Sequence, residues 1–264
     1  MHAGLLPDRS EDAGRIHAVD QGRAKHIGRV YVGASGFSYA AWKGPFYPRR
    51  LRQRDMLAYY ASRLSTVEIN TTFYGNPTED VIASWVAAVP ESFRFAVKAP
   101  RRVTHVRRER LMQVGLGVFV EILRGFGDRL GPVLFQFPPT AEYQPGRLEA
   151  FLPTLPPAWR VAFQFRHPSW HVEAVSALIE EYGGAVCHAD GEPEPGPLGR
   201  GAFLYFRLRQ DDYAPAALSG WRRRFTRYAA EGRDVFAYFK HEVSAPAFAR
   251  WVQTSGRPEA GTAL

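Results

Sequence analysis

Cysteine is almost absent: Cys187 is the single one in 264 residues. That excludes an intramolecular disulfide and any metal site built from several thiolates, and it fits a reducing compartment. Cys187 itself reads as a small buried apolar residue. No stretch approaches the roughly 20 apolar residues of a membrane-spanning helix, and the N-terminus lacks the apolar core of a secretory signal. These absences predict a soluble, cytoplasmic chain with no membrane partner. Lysine is scarce too, at positions 25, 43, 98 and 240, so arginine carries nearly all of the positive charge. The formal net charge of +8 favours anionic partners, but an arginine-rich composition is modest support for nucleic acid, and the placing of the charges carries more weight.

A composition of 45% hydrophobic and 14% aromatic residues can fill a substantial core. Residues 1–28 show no sustained periodicity and read as a disordered or loosely attached N-terminal extension. From Val30 onward, β-rich runs alternate with helical patterns. The runs are Val30–Ser35, Thr66–Asn70, Phe93–Lys98, Pro132–Phe137, Arg160–Arg166, Ala185–Asp190, Ala202–Arg209 and Asp234–Lys240. The helical patterns are Asp55–Leu64, Glu79–Val89, Arg108–Arg129, Arg147–Leu155, His171–Tyr182, Ala214–Glu231 and Ala245–Thr254, with Asp55 and Thr78 placed to cap. Gly191–Arg200 holds too much Gly and Pro for a helix, so one crossover is expected to be irregular. Eight strands joined by crossovers predict a single-domain, TIM-type (β/α)8 barrel over residues 29–264, with an open doubly wound sheet as the alternative.

Strand alternation then separates a helix-facing row from a barrel-facing row. Val67 and Ile69 oppose Glu68 and Asn70; Phe95 and Val97 oppose Lys98; Phe135 and Phe137 oppose Gln136. Phe163 and Phe165 oppose Gln164 and Arg166, and Ala185, Cys187 and Ala189 oppose His188 and Asp190. Leu204, Phe206 and Leu208 oppose Tyr205, Arg207 and Arg209, and Val235, Ala237 and Phe239 oppose Tyr238 and Lys240. The inward polar groups Glu68, Asn70, Lys98, Gln136, Gln164, Arg166, Asp190, Arg207, Tyr238 and Lys240 converge on the C-terminal strand ends, where barrels carry their sites. The plain alternative is that they neutralise one another.

Four cations in this ring (Lys98, Arg166, Arg207, Lys240) face two acids (Glu68, Asp190), an imbalance that a phosphate or carboxylate ligand corrects. Lys98 is the candidate base or Schiff-base nucleophile, and Glu68 the alternative acid/base. Asn70, Tyr74, Gln136, Arg166, His167, Asp190, Arg207, Tyr238 and Lys240 are candidates for substrate binding. No cofactor is specified. A divalent ion held by Glu68, His167, His188 and Asp190 is the one metal arrangement to weigh, and no close ligand spacing supports it. Arg101, Arg102 and His105 follow the third strand and form a candidate rim.

Several segments carry a resemblance: Gly33-Ala-Ser-Gly-Phe-Ser-Tyr39, Trp42-Lys-Gly-Pro-Phe-Tyr-Pro48, Thr66-Val-Glu-Ile-Asn-Thr-Thr-Phe-Tyr74 and Phe95-Ala-Val-Lys-Ala99. Thr104-His105, Leu134-Phe-Gln-Phe-Pro-Pro139, Phe165-Arg-His-Pro-Ser-Trp170 and Tyr238-Phe-Lys-His-Glu242 extend it. Together they resemble the YecE-like family, domain of unknown function group 72, over essentially the whole chain after residue 28. The resemblance implies a TIM-type barrel. This chain has Gln164-Phe-Arg-His167 where the family usually has Glu-Phe-Arg-His, and its eighth strand ends differently from the asparagine pair of many relatives.

Three functions compete. An enzyme acting on a small phosphorylated or carboxylated substrate would use Lys98, Arg166 and Arg207 as an anion clamp. A nucleic-acid-binding or nuclease-like, DNA-repair-type barrel would use Arg49, Arg50, Arg52 and Arg54 with Arg101, Arg102, Arg107, Arg108 and Arg110, and Trp42, Phe73 and Tyr74 for stacking. A non-catalytic ligand- or partner-binding role is the third. The oligomeric state is not specified by the sequence.

Overall fold

The computed structural model describes residues 26–106, 108–190, 199 and 201–253. Its strands are β1 Val30–Ser35, β2 Thr66–Ile69, β3 Arg94–Lys98, β4 Leu130–Phe137, β5 Val161–Phe165, β6 Ala185–Ala189, β7 Phe203–Leu208 and β8 Asp234–Phe239. Each pairs in parallel with the next, and β8 returns to β1 with Val30 opposite Val235 and Ala34 opposite Phe239. That closure selects the TIM-like barrel over the open sheet.

Between the strands lie α1 Met56–Ala61, α2 Glu79–Ala87, α3 Arg101–Thr104, α4 Glu109–Arg124, α5 Arg147–Phe151, α6 Glu173–Glu181, α7 Pro215–Ala230 and α8 Ala245–Gln253. Thr78 caps α2, its hydroxyl accepting from the Val81 amide at 3.4 Å. Asp55 does not cap α1, because its carboxylate is taken by Arg52 and Arg54. The expected helix from Arg108 ends at Arg124, and Gly127, at φ 49°, starts a separate short turn. α3 forms at Arg101 and Arg102, outside the expected helical patterns: Pro100 holds an extended conformation and its carbonyl accepts from the Val103 amide.

Two apolar layers hold the fold. The larger lies between sheet and helices and contains Val67, Ile69, Phe95, Val97, Phe135, Phe163, Leu204 and Phe206. The smaller fills the barrel with Tyr31, Ala96, Leu134, Ala162, Ala185, Cys187, Phe203, Tyr205, Phe236 and Tyr238. Tyr31 stacks on Phe236 at 4.7 Å.

β6 corrects one expectation. Ala185 and Cys187 point into the barrel, and His188 lies on the helix side, 5.4 Å ring to ring from Phe206. The reason is volume. Tyr31, Phe203, Tyr205 and Phe236 crowd the interior, so β6 presents its small residues inward. Apolarity alone could not reveal that.

Gly33 is required where β1 passes β2. A Cβ there would fall 1.9 Å from the Thr66 carbonyl oxygen and 2.9 Å from the Tyr60 hydroxyl. The predicted extension lies outside the described residues up to residue 25. Gly28 and Arg29 join the barrel base through hydrogen bonds from their backbone amides to the Ala229 carbonyl and the Asp234 carboxylate, 2.8 and 2.7 Å long. The predicted irregular crossover at 191–200 also lies outside the described residues, apart from Gly199. Among the described residues, no helix is long and apolar enough to cross a membrane.

Candidate functional site

At the C-terminal strand ends, the polar inward row closes into one hydrogen-bonded relay. Glu68, last inward residue of β2, is fully buried. Its Oε1 accepts from Ser35 Oγ at 2.8 Å, Asn70 Nδ2 at 2.9 Å and Arg207 Nη2 at 2.8 Å, while its Oε2 accepts from the Tyr205 hydroxyl at 2.7 Å. Burial alone would raise the carboxyl pKa. The Arg207 charge and hydrogen bond, helped by Arg209 and Asn70, outweigh it and hold Glu68 at about 2. Arg207, buried on β7, is held above the ordinary guanidinium range by the same partner despite desolvation.

The relay continues across the barrel. Gln164 Oε1 accepts from Arg207 Nη1 at 2.8 Å and from Gln136 Nε2 at 2.7 Å. Gln136 Oε1 in turn accepts from Lys98 Nζ at 2.7 Å. Gln164 is thus an uncharged acceptor shared by Arg207 and Gln136. Lys98 is buried, and its ammonium lies 3.8 Å from the Phe73 ring centroid. Burial, then Arg207, Arg209 and Arg166, lower its pKa to about 8 against the opposing pull of Glu68.

Further cations lie around this relay. Arg166 is exposed at the end of β5, yet its charge reaches Lys98, His105 and Lys240. Lys240, just past β8, has its pKa lowered by desolvation and then by Arg209, Arg207 and Arg166. His105 is lowered by burial, then by Lys98, Arg101 and Arg166; its Nδ1 lies 2.8 Å from Thr104 Oγ1 and its ring meets Phe73 edge to face. Arg101 and Arg102 are exposed on α3, and Arg102 donates to Asn76 at 2.5 Å. Tyr74 is 83% exposed on the same rim.

Other candidates are placed elsewhere. Tyr238 is buried one layer deeper, with its hydroxyl 2.9 Å from Thr66 Oγ1. Asp190 does not join the ring: its carboxylate accepts from the Tyr213 hydroxyl and the Arg209 amide, which ties down the segment after β7. His167 Nδ1 accepts from the Ser169 amide at 3.3 Å and lies 2.8 Å from its hydroxyl, capping a short turn. His188 faces away, with burial first and Arg233 second lowering its pKa to about 4. The four residues weighed as metal ligands are thus dispersed, and among the described residues no group of three or more His, Cys, Asp or Glu could hold an ion. Trp42 is fully buried and donates to the Glu242 carbonyl at 2.8 Å, so it cannot stack on a ligand. Arg52 and Arg54 pair with Asp55.

Ser35, Tyr205 and Arg209 belong to the site and were not among the candidate ligand groups; Gln164 was placed in the polar ring without a role, and Phe73 was weighed only for stacking on nucleic acid. The alternation had already turned Gln164, Tyr205 and Arg209 inward. No sequence signal marked Phe73 as the lysine's neighbour.

Fold and site together define a closed parallel barrel with a buried ion pair beneath a cationic mouth. The chain belongs to the family described as protein of unknown function DUF72, whose profile matches residues 31–261. The UPF0759 protein YecE of Escherichia coli K12 is 28% identical over 144 residues, 53% of this chain and 50% of that protein. The UPF0759 protein YunF of Bacillus subtilis is 27% identical over 121 residues, 42% and 40% of the two chains. The chain thus matches half or less of the length of these curated relatives. A DUF72 family crystal structure from Thermotoga maritima superposes with a TM-score of 0.69 at 23% identity, covering 85% of this chain and 98% of that one. One from Enterococcus faecalis gives 0.67 at 20%, covering 86% and 96%. Such likeness speaks for the fold.

Proposed function

We propose that the barrel mouth is the active site of an enzyme that acts on a small carboxylated or phosphorylated substrate, with Lys98 as the reacting amine. The observation that carries this reading is the charge left after the internal pairing. Glu68 and Arg207 neutralise each other, Asp190 is engaged with Tyr213, and position 164 is an amide. Lys98, Arg166 and Lys240 then share one neighbourhood, and none forms an ion pair among the described residues. An anion is the ligand that such a field selects.

Within that pocket the roles divide. Glu68, held at about 2, stays ionised at neutral pH and orients Arg207; it is poorly suited to carry a proton. Lys98, at about 8, is the unprotonated amine in roughly one molecule in ten at neutral pH. Its hydrogen-bonded partner among the described residues, Gln136, cannot take a proton and leaves the amine able to abstract one or to add to a carbonyl. Arg166 and Lys240, at the mouth, hold the anionic group.

The small number of lysines makes the test clean. Pyridoxal phosphate offers an aldehyde and a phosphate; it condenses with an amine, releasing water, and borohydride then reduces the imine to a stable adduct. Peptide mapping should find Lys98 labelled ahead of Lys25 and Lys43, with inorganic phosphate slowing the reaction. Equal labelling of all lysines, indifferent to phosphate, would defeat the proposal.

A second reading rests on the rim. The exposed Tyr74, Arg101 and Arg102 adjoin the site and could track a nucleic-acid backbone. That binding would collapse with salt and with Arg101→Ala and Arg102→Ala, whereas small-anion selectivity at fixed salt would survive both changes.

A further inference from the structure

Helix α4 has two apolar faces where a barrel helix needs one. Met112, Leu116, Phe119 and Leu123 are buried against the sheet. On the far side Leu111, Val114 and Val118 are exposed, by 53, 63 and 46%, at the i, i+3, i+7 spacing of a single helix face. Packing among the described residues does not account for that outer row.

The helix also contains two glycines, and only one is explained from within. A Cβ on Gly115 would come 3.1 Å from the Arg102 carbonyl oxygen. Gly117 is exposed, and a Cβ there would meet nothing within 4 Å. Glycine inside a helix destabilises it relative to alanine, and its smallness at 117 serves no neighbour among the described residues.

The charges supply the third observation. Arg110, Val114, Gly117 and Glu121 fall on one line along the outer face, at i, i+4, i+7 and i+11, spanning about 16 Å. All four are exposed. Reversing this row about its midpoint exchanges Arg110 with Glu121 and Val114 with Gly117. Cation then opposes anion, and a branched side chain opposes a hollow. A row complementary to its own reverse fits a second copy of itself across a two-fold axis.

We propose that the outer face of α4 is a contact between two copies of this chain, packed antiparallel, with Val114 of each seated over the partner's Gly117 and Arg110 opposite the partner's Glu121. Glu121 already accepts from Arg124 through Oε2 at 2.6 Å, and its side chain stays 63% exposed, leaving room for a second cation. The glycine hollow lets the axes approach at the short end of the usual range of about 8–10 Å. One helix row is smaller than a standard interface, so the dimer is concentration-dependent.

Sedimentation velocity of the full chain over roughly a hundredfold range of concentration tests this. A monomer–dimer equilibrium is expected. Val114→Glu, Arg110→Glu and Glu121→Arg should each raise the dimer Kd at least about tenfold, and the double reversal Arg110→Glu with Glu121→Arg should return it to within about threefold of the starting value. Gly117→Leu should weaken the dimer while raising the monomer's Tm, a split that a purely internal role for the glycine would not produce. Circular dichroism checks that each variant is folded. A monomer at every concentration would overturn the proposal, as would a dimer indifferent to Val114→Glu or a double reversal no better than the single ones.

Discussion

Replacing Glu68 by Gln keeps a hydrogen-bond acceptor and removes only the charge, which makes it a sharp probe of the buried pair with Arg207. The size of the effect can be reached in two ways. Depression of the carboxyl pKa from 4.5 to about 2 corresponds to about 3 kcal/mol of native-state stabilisation. Leaving a buried arginine without its counter-ion independently costs about 3–5 kcal/mol. Because the folded pKa lies below the unfolded one, this contribution is fully present above about pH 4.5 and disappears as pH falls towards 2. Urea denaturation at neutral pH should therefore show Glu68→Gln less stable by about 3 kcal/mol, and near pH 3 the gap should shrink to about 1 kcal/mol as the carboxyl of the unfolded chain takes up a proton that the folded protein still excludes. A gap that does not change with pH, or none at neutral pH, would mean that Glu68 is not ionised in the folded protein. The relay would then need a different electrostatic description.

Other consequences follow from single residues. Lys98→Met should abolish pyridoxal phosphate trapping at the site yet raise Tm at neutral pH, because the buried ammonium is disfavoured below about pH 8; a fall in Tm would contradict its lowered pKa. His188→Phe should remove part of the acid sensitivity between about pH 6.5 and 4, since the native protein resists charging this imidazole and loses stability as pH falls through that window; unchanged acid unfolding would oppose this. Gly33→Ala should destabilise strongly, by several kcal/mol at least, because the added methyl meets backbone rather than a movable side chain; a thermal melt within about 2 °C of the natural protein would show that β1 can shift aside.

Much of the architecture was legible because it rests on period. Eight apolar runs with alternate faces, spaced by helical patterns, lead to a closed parallel barrel, and the inward phase of β2, β3, β4, β5, β7 and β8 follows from their bulky outward residues. The phase of β6 could not be read in this way. Ala185, Cys187 and Ala189 are small enough for either side, and the space left by Tyr31, Phe203, Tyr205 and Phe236 decided the matter. The misplacing of Asp190 and His188 follows from that one inversion.

The site was legible to the same degree. Glu68, Lys98, Gln136 and Arg207 meet because strand alternation sends them to one place. What each one contacts is tertiary: the alternation places Glu68 inward, but only the fold brings four donors to its carboxylate. His167 shows the opposite limit, since a histidine next to a candidate arginine proved to be the cap of the following turn. Local hydrogen bonds of that kind leave no periodic signature.

The central claim is that the mouth is built for a small anion, and a thermal-shift screen tests it most directly. Inorganic phosphate, oxalate, sugar phosphates and short single- and double-stranded oligonucleotides would be compared at low and moderate salt on the natural chain, Arg166→Ala and Lys98→Met. The account predicts selective stabilisation by one class of small anion that persists at moderate salt and is lost in Arg166→Ala. No response to any small anion, or stabilisation only by oligonucleotides that vanishes with salt, would contradict it.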